Sequence, residues 1–315
     1  MGSKVLILDE YAGRYAGELK ARFPALETMA AATRAELPAD LSGIDVLVAF
    51  GIAIDNEMIG GMKDLKWIQS LATGVDHFLK CANLRRETLL TSTRGIHGPA
   101  MREAVAFLML ALTHRSRHLA RSQDARIWDR TQRRPLLAGK SAAIVGVGVS
   151  SSAVAQLLKA FGMHVTGFSR TPRPVEGFDD IIETARLAQN VGKADFLVNV
   201  LPGDASNAGI ISAEVFAAMK PSACFINIGR GETVDEAALI EALRENRIAG
   251  AGLDVFRTHP LPAGNPLWAL ENVVICPHLA GFFDEYETYA LPILIENMDL
   301  FLQGKQEEMR NIVAH

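Results

Sequence analysis

The sequence predicts an α/β protein made of two doubly wound parallel-sheet domains. Three observations predict it. Short apolar runs bounded by turn residues alternate with helical patterns along the chain, as repeated βα units do. One of these runs enters a helix through a glycine turn, Gly146-Val147-Gly148. A length of 315 residues, 49% of them apolar, suits two cores better than one.

The elements follow in order. In the first hundred residues Val5–Leu8, Val46–Phe50 and Trp67–Leu71 read as strands, and Leu89–Thr91 as a further short one. Tyr11–Phe23 and the stretch near Asn56–Ile59 read as helices. Pro99 opens a long helix through Ala111, with an extension to Arg121, because proline suits a first helical turn. Phe107, Leu108, Leu110 and Leu112 form its apolar face, and it reads as a crossing between domains. Trp128 to Gly139 is basic, contains proline and lacks periodicity, so it reads as a loop.

The stretch from Ser141 to Arg170 organises the rest. Ala142–Val145 is an uninterrupted apolar run, as a strand buried on both faces should be. Val154, Leu157, Leu158 and Phe161 recur at helical spacing, and Val165–Phe168 is the next strand. Beyond it, Phe196–Val200, Cys224–Ile228, Ile248–Leu253 and Val273–Cys276 read as strands. Val215–Met219, Asp235–Asn246 and Glu285–Leu302 read as helices, the last crossing back to the first domain.

A strand feeding a helix through glycines turns bare N–H groups and the positive helix end outward, where a dinucleotide's pyrophosphate can sit. Gly146 and Gly148 supply that turn. The third glycine of the fingerprint is replaced by Ser151, and Ser150, Ser151 and Ser152 offer hydroxyls that cap the helix or meet phosphate. The following strand ends Phe168-Ser169-Arg170-Thr171, with no carboxylate to hold the ribose 2′-OH of NAD. Ser169, Arg170 and Thr171 can donate to a 2′-phosphate, so NADP is preferred. NAD is the alternative, should Asp179 or Asp180 fold back to the ribose.

Three later strand ends carry polar groups and should face the nicotinamide. They are Asn227-Ile228-Gly229-Arg230-Gly231, Gly252-Leu253-Asp254-Val255-Phe256 and Cys276-Pro277-His278-Leu279-Ala280-Gly281. Reduction of a 2-oxo acid needs a cation for the carboxylate and carbonyl, an acid for the new alkoxide, and a group to orient the ring. Arg230, His278 and Asp254 fit these roles in turn. His77, His97, His114, His118 and His164 lack such context and read as structural or surface residues.

The totals exclude other classes. A net charge of −4 gives no basic field for nucleic acid or an acidic membrane. Cys81, Cys224 and Cys276 are too few and scattered for a disulfide framework or a zinc site, so no metal is expected. With no N-terminal signal and no apolar run long enough to span a bilayer, the expectation is a cytoplasmic protein with no membrane partner.

These motifs resemble the D-isomer-specific 2-hydroxyacid dehydrogenase family, similar to its NADP-preferring glyoxylate/hydroxypyruvate reductase branch. The resemblance runs through VLPGDASNAGI, NIGRGETVDEAALIEAL, GAGLDVF and NPLWALENVVICPHLAG. It implies a flavodoxin-like substrate domain of residues 1–98 and 286–315 around an inserted Rossmann dinucleotide-binding domain of residues 99–285, and a homodimer. Arg230 would then bind substrate, His278 act as acid/base, and Asp254 contact the nicotinamide carboxamide. Thr73 and Gly74 would hold the substrate carboxylate through backbone N–H groups. Leu201 and Pro202 would cover the adenine side, and Val149, Asn207, Ile228, Gly229, Ala280 and Gly281 complete the candidate cofactor contacts.

One position departs from the family pattern. Its members place a glutamate five residues after the aspartate of GLDVF, paired with the catalytic histidine, and here that residue is His259. An imidazole can orient His278 but cannot supply the negative charge that stabilises imidazolium. A lower working pH for carbonyl reduction, or weaker activity, is the expectation. The alternative function is a nucleotide-sensing binding protein of the same fold with weak catalysis.

Overall fold

The computed structural model describes residues 2–315. The chain divides into two units, one running up to Ile96 together with Asp284–His315, the other His97–Phe283.

The first unit holds strands β1 (Lys4–Leu8), β2 (Glu27–Ala31), β3 (Val46–Ala49), β4 (Trp67–Ser70) and β5 (Leu89–Ser92). All pairs are parallel and the order is β2-β1-β3-β4-β5, the flavodoxin-like arrangement. Its helices are α1 (Ala12–Arg22), α2 (Asn56–Gly61) and α3 (Asp76–Leu79). Strand residues alternate between faces. Leu6, Leu47, Ile68 and Leu90 share one core with Met58, Ile59 and Phe78. The opposite face carries Trp67, whose ring lies 5.2 Å from Phe301 of the C-terminal helix, Tyr286–Leu302. On that helix Asn297 donates to the Gln69 side chain at 3.0 Å.

The second unit opens with α4 (Gly98–Thr113) and α5 (Ser116–Asp124). Strands β6 (Ser141–Val145), β7 (His164–Ser169), β8 (Asp180–Glu183), β9 (Phe196–Asn199), β10 (Cys224–Asn227), β11 (Gly250–Leu253) and β12 (Val273–Ile275) form its sheet. Helices α6 (Val149–Ala160), α7 (Leu187–Asn190), α8 (Ala213–Ala218) and α9 (Glu236–Arg244) connect them. The order β12-β11-β10-β9-β6-β7-β8 is parallel throughout and reverses direction between β6 and β9. That is the doubly wound dinucleotide-binding order with one further strand. Ala143, Val145, Leu197 and Phe225 face one core, and Ala142, Ile144, Val198 and Ile226 face another built with α4 and α6.

The structure corrects two readings and adds two strands. The helix opened by Pro99 ends at Thr113 and does not reach Arg121, because Arg115 takes a left-handed conformation (φ 51°) that breaks it from α5. Phe107 is 56% exposed, and Val105, Leu108 and Met109 form the buried face of α4 instead. Two strands were not legible, β2 (ETMAA) and β8 (DIIE). Both lie at sheet edges with one neighbour each, are largely unburied, and so lack the apolar run that marks a central strand.

Candidate active site

The glycine turn is built by its neighbours. Gly146 has φ 98°, and a Cβ there would come within 3.3 Å of the Leu201 backbone, so glycine is required on both counts. At Gly148 a Cβ would meet nothing within 4 Å. The backbone at the head of α6 is therefore open to a ligand, and a pyrophosphate fits it. Val149, the first residue of α6, is 59% exposed beside it. Of the two roles open to the serines, capping is the one seen. Ser151 Oγ accepts from the Gly148 N–H at 2.7 Å and donates to the Gly148 carbonyl at 3.0 Å, and the residue is buried. Ser152 Oγ donates to the Glu176 carbonyl. Ser150 is half-buried.

At the end of β7, Ser169 Oγ accepts from the Thr171 N–H and donates to the Thr171 carbonyl, folding the turn that displays Arg170. Asp179 is tied at the other end of β7, where it accepts from the Val165 N–H at 2.7 Å and from Lys159 Nζ. Asp180 pairs in register with Thr166, and only Glu183 pairs with Ser169. Neither aspartate reaches the strand end where a ribose would lie.

The ends of β9, β10 and β11 carry polar residues that brace the loops beyond them. Asn199 Nδ2 donates to Asn227 Oδ1 at 2.8 Å and to Thr233 Oγ1 at 2.7 Å. Asn227 Oδ1 also accepts from the Gly229 N–H, and Thr233 Oγ1 donates to the Arg230 carbonyl. All three side chains are buried. Gly229 passes so close to Leu201 that a Cβ would lie 2.7 Å from its carbonyl oxygen, and Gly231 packs directly on Phe256. Half-buried Arg230 is thus fixed at its backbone, and its Nη1 donates to the Gly229 carbonyl at 2.9 Å. Ile228 and Leu201 are buried, Pro202 is exposed, and buried Asn207 donates to the Pro202 carbonyl at 3.2 Å.

Asp254 builds the turn that presents His278. Its carbonyl accepts from the His278 N–H at 2.9 Å, Oδ1 from the Leu279 N–H at 2.7 Å and Oδ2 from the Ala280 N–H at 3.1 Å. Burial raises the Asp254 carboxyl above its ordinary range, and those two amides oppose the rise. His278 has φ 58°, a left-handed backbone held in place by this network. Its ring centroid lies 5.2 Å from that of His259, tilted by 38°. His259 Nε2 accepts from the Phe256 N–H at 3.2 Å, which fixes the ring in the tautomer protonated at Nδ1.

Two residues of this site were missed in the sequence, Asn199 and Thr233. Asn199 gave a signal, since an asparagine ending an otherwise apolar strand is out of pattern, and Thr233 gave none. His97 reads from the sequence as a structural or surface residue and is buried here. It caps the head of α4, is 6% exposed, and its Cδ2 would lie 3.4 Å from a Cβ on Gly281. Burial, with the Arg230 cation nearby, pushes its imidazole down to about 4.

In the first unit, Thr73 and Gly74 lie in the loop leaving β4. Ser70 Oγ accepts from the Ala72 N–H and donates to the Ala72 carbonyl, both at 3.1 Å. Buried Tyr286 donates to the Leu71 carbonyl and lies 3.1 Å from Thr93 Oγ1. Burial raises the Tyr286 phenol well above its usual range.

Strand order, glycine turn and strand-end polar groups together define a dinucleotide-dependent oxidoreductase fold. A family model described as "D-isomer specific 2-hydroxyacid dehydrogenase, NAD binding domain" matches residues 106–280. Glyoxylate/hydroxypyruvate reductase A of Serratia proteamaculans is 32% identical over 231 residues, 72% of this chain and 74% of that one. A D-isomer-specific 2-hydroxyacid dehydrogenase family protein of Aeromonas salmonicida superposes with a TM-score of 0.90 at 31% identity, covering 99% of both chains. The NADPH-dependent glyoxylate/hydroxypyruvate reductase of Sinorhizobium meliloti, in complex with NADP and sulfate, gives 0.84 at 29% identity, covering 99% and 98%. The chain also matches D-3-phosphoglycerate dehydrogenases, of which it spans about half the length, 49% for that of Mycobacterium leprae. The chain belongs to the D-isomer-specific 2-hydroxyacid dehydrogenase family, NAD(P)-dependent oxidoreductases.

Proposed function

We propose that this protein reduces a small 2-oxo acid of the glyoxylate or hydroxypyruvate type to the D-2-hydroxy acid with NADPH. The observation that carries the reading is the pairing of a braced Arg230 loop after β10 with the His278 turn that Asp254 builds after β12. The open backbone at Gly148 and the head of α6 would hold the pyrophosphate, and Arg170 with the Ser169–Thr171 turn the 2′-phosphate. Exposed Glu183, in register with Ser169, keeps NAD as the alternative cofactor.

The reduced nicotinamide, when bound, supplies the hydride. Arg230 holds the substrate carboxylate and draws charge from the carbonyl oxygen as it turns into an alkoxide. His278 donates the proton that completes the alcohol. His259, held by the Phe256 N–H, orients the His278 ring without adding negative charge. Asp254 keeps a lone pair on each oxygen for the nicotinamide carboxamide. Thr73 and Gly74 keep the role the family resemblance implies, backbone donors to the substrate carboxylate.

In this reading residues 99–285 form the dinucleotide-binding domain, and residues 1–98 with 286–315 the substrate domain. A homodimer fits the exposed arm in which Ile127, Trp128 and Leu136 are 61%, 90% and 73% exposed. Three free cysteines suit a reducing, cytoplasmic setting. Among the described residues no helix is long and apolar enough to cross a membrane, and no cluster could hold a metal ion.

The test is NADPH and NADH consumption with glyoxylate, hydroxypyruvate, pyruvate and a bulky aromatic 2-oxo acid across pH. Turnover at least about tenfold more efficient with NADPH, on an acidic-side optimum, is expected. A peak above about pH 7.5 contradicts the role given to His259. Tight NADPH binding without turnover at any pH favours the sensing protein.

A further inference from the structure

We propose that Ser206 is a positioning residue for cofactor choice, clamping Arg170 in the pose that receives a 2′-phosphate. The inference rests on the NADPH reading above and extends it to a second loop. Arg170 Nη1 donates to Ser206 Oγ at 3.1 Å. The two residues come from different strand exits, Arg170 after β7 and Ser206 after β9. Both line one cavity of about 390 Å³, together with Glu183 and Asn207.

The clamp is itself fixed. Asp204 accepts from the Ser206 N–H at 2.7 Å and caps the short turn Ala205–Asn207. Asn207, buried at the end of that turn, anchors it to the Pro202 carbonyl. Arg170 is an exposed loop residue. Glu183 lines the same cavity, and Arg170 is among the charges that lower the Asp204 carboxyl, after its bonds to Ser206. An exposed guanidinium has about 2 kcal/mol of side-chain entropy to lose on docking to a phosphate. A hydroxyl holding it beforehand removes part of that cost.

The Ser206 hydroxyl is held in turn, since its O–H bonds the Asp204 carboxylate while its oxygen accepts from Arg170. A 2′-phosphate would meet a guanidinium fork already oriented, whereas the 2′-OH of NAD would leave that fork without an anion. Ser206 therefore bears on the affinity for one cofactor and not on the chemistry.

The experiment measures KM and kcat for NADPH and NADH in the full-length protein and in Ser206→Ala, Ser206→Thr, Ser206→Glu and Arg170→Ala. Ser206→Ala should raise KM for NADPH about three- to tenfold, with kcat and the KM for NADH little changed, the size of one ordinary lost hydrogen bond. Ser206→Thr, which keeps the hydroxyl, should restore it. Ser206→Glu should lower NADPH preference further, because a carboxylate captures the guanidinium and repels phosphate. In the Arg170→Ala background Ser206→Ala should add less than its effect alone. Equal changes for both cofactors, or none, overturn the clamp. If Arg170→Ala itself leaves NADPH preference intact, the 2′-phosphate reading and the clamp both fall. If it abolishes the preference while Ser206→Ala leaves it intact, only the clamp falls.

Discussion

The strand exits of the two sheets are braced in different ways. In the second sheet the brace sits at the end of the strand. Asn199 and Asn227 end β9 and β10 and bond the loop just beyond each, while Asp254, directly after β11, bonds the exit of the neighbouring β12. In the first sheet the Ser70 side chain, at the end of β4, bonds Ala72 two residues on. Further support for that exit comes from the Thr93 N–H on the Ala72 carbonyl and from Tyr286, at the start of the C-terminal helix. A strand-end brace fixes a loop relative to the sheet's hydrogen-bond ladder. A remote brace fixes it only while two distant segments stay packed.

The sharpest break of this comparison is Asp254→Ala. It removes the acceptors for two backbone N–H groups and frees the left-handed turn at His278, so kcat/KM should fall on the order of 100-fold. Asp254→Asn, which keeps one acceptor, should fall less, as steady-state kinetics would record.

Next in size is His97, beside the Arg230 loop. The unfolded chain takes up its proton near pH 6.5 and the folded one only near about 4. Between those values the unfolded state binds more protons, so stability is full above 6.5 and falls as pH drops toward 4, by about 3 kcal/mol in all. Denaturant titrations at several pH values should show this slope in the parent and a flatter one in His97→Gln. Equal slopes would remove His97 from the account.

Tyr286→Phe tests the remote brace. It strips the donor from the buried Leu71 carbonyl and should cost about 1–2 kcal/mol in thermal unfolding. If the loop after β4 is held from elsewhere, the cost vanishes. The smallest effect is expected at Cys224. Burial pushes its thiol up to about 12, so a maleimide at pH 8 should leave it unlabelled until the protein is denatured.

The same contrast marks how far the sequence could be read. Central strands were legible because both faces are buried and the run is largely apolar, as in β3, VLVA. The edge strands β2 and β8 were not, since they are largely unburied, unlike the edge strand β5, whose residues are mostly buried. Arg230, Asp254 and His278 stood out by position, at the ends of successive strands. His97 did not, because its meaning lies in Arg230 and Gly281, which are far along the chain. Tyr286 was hidden for the same reason. What a residue does through distant partners leaves no local spacing to detect.

The C-terminal helix carries a consequence for biosynthesis. Asn297 and Phe301 cover one face of the first sheet, yet they leave the ribosome only after every residue of the second unit. The five strands made first must therefore wait with Trp67 and Gln69 uncovered, while the contiguous segment His97–Phe283 already holds all it needs to close its own sheet. During translation the later-made unit should become protease-resistant before the earlier one, and a stalled nascent chain ending before Tyr286 should expose an unfinished first sheet to chaperones.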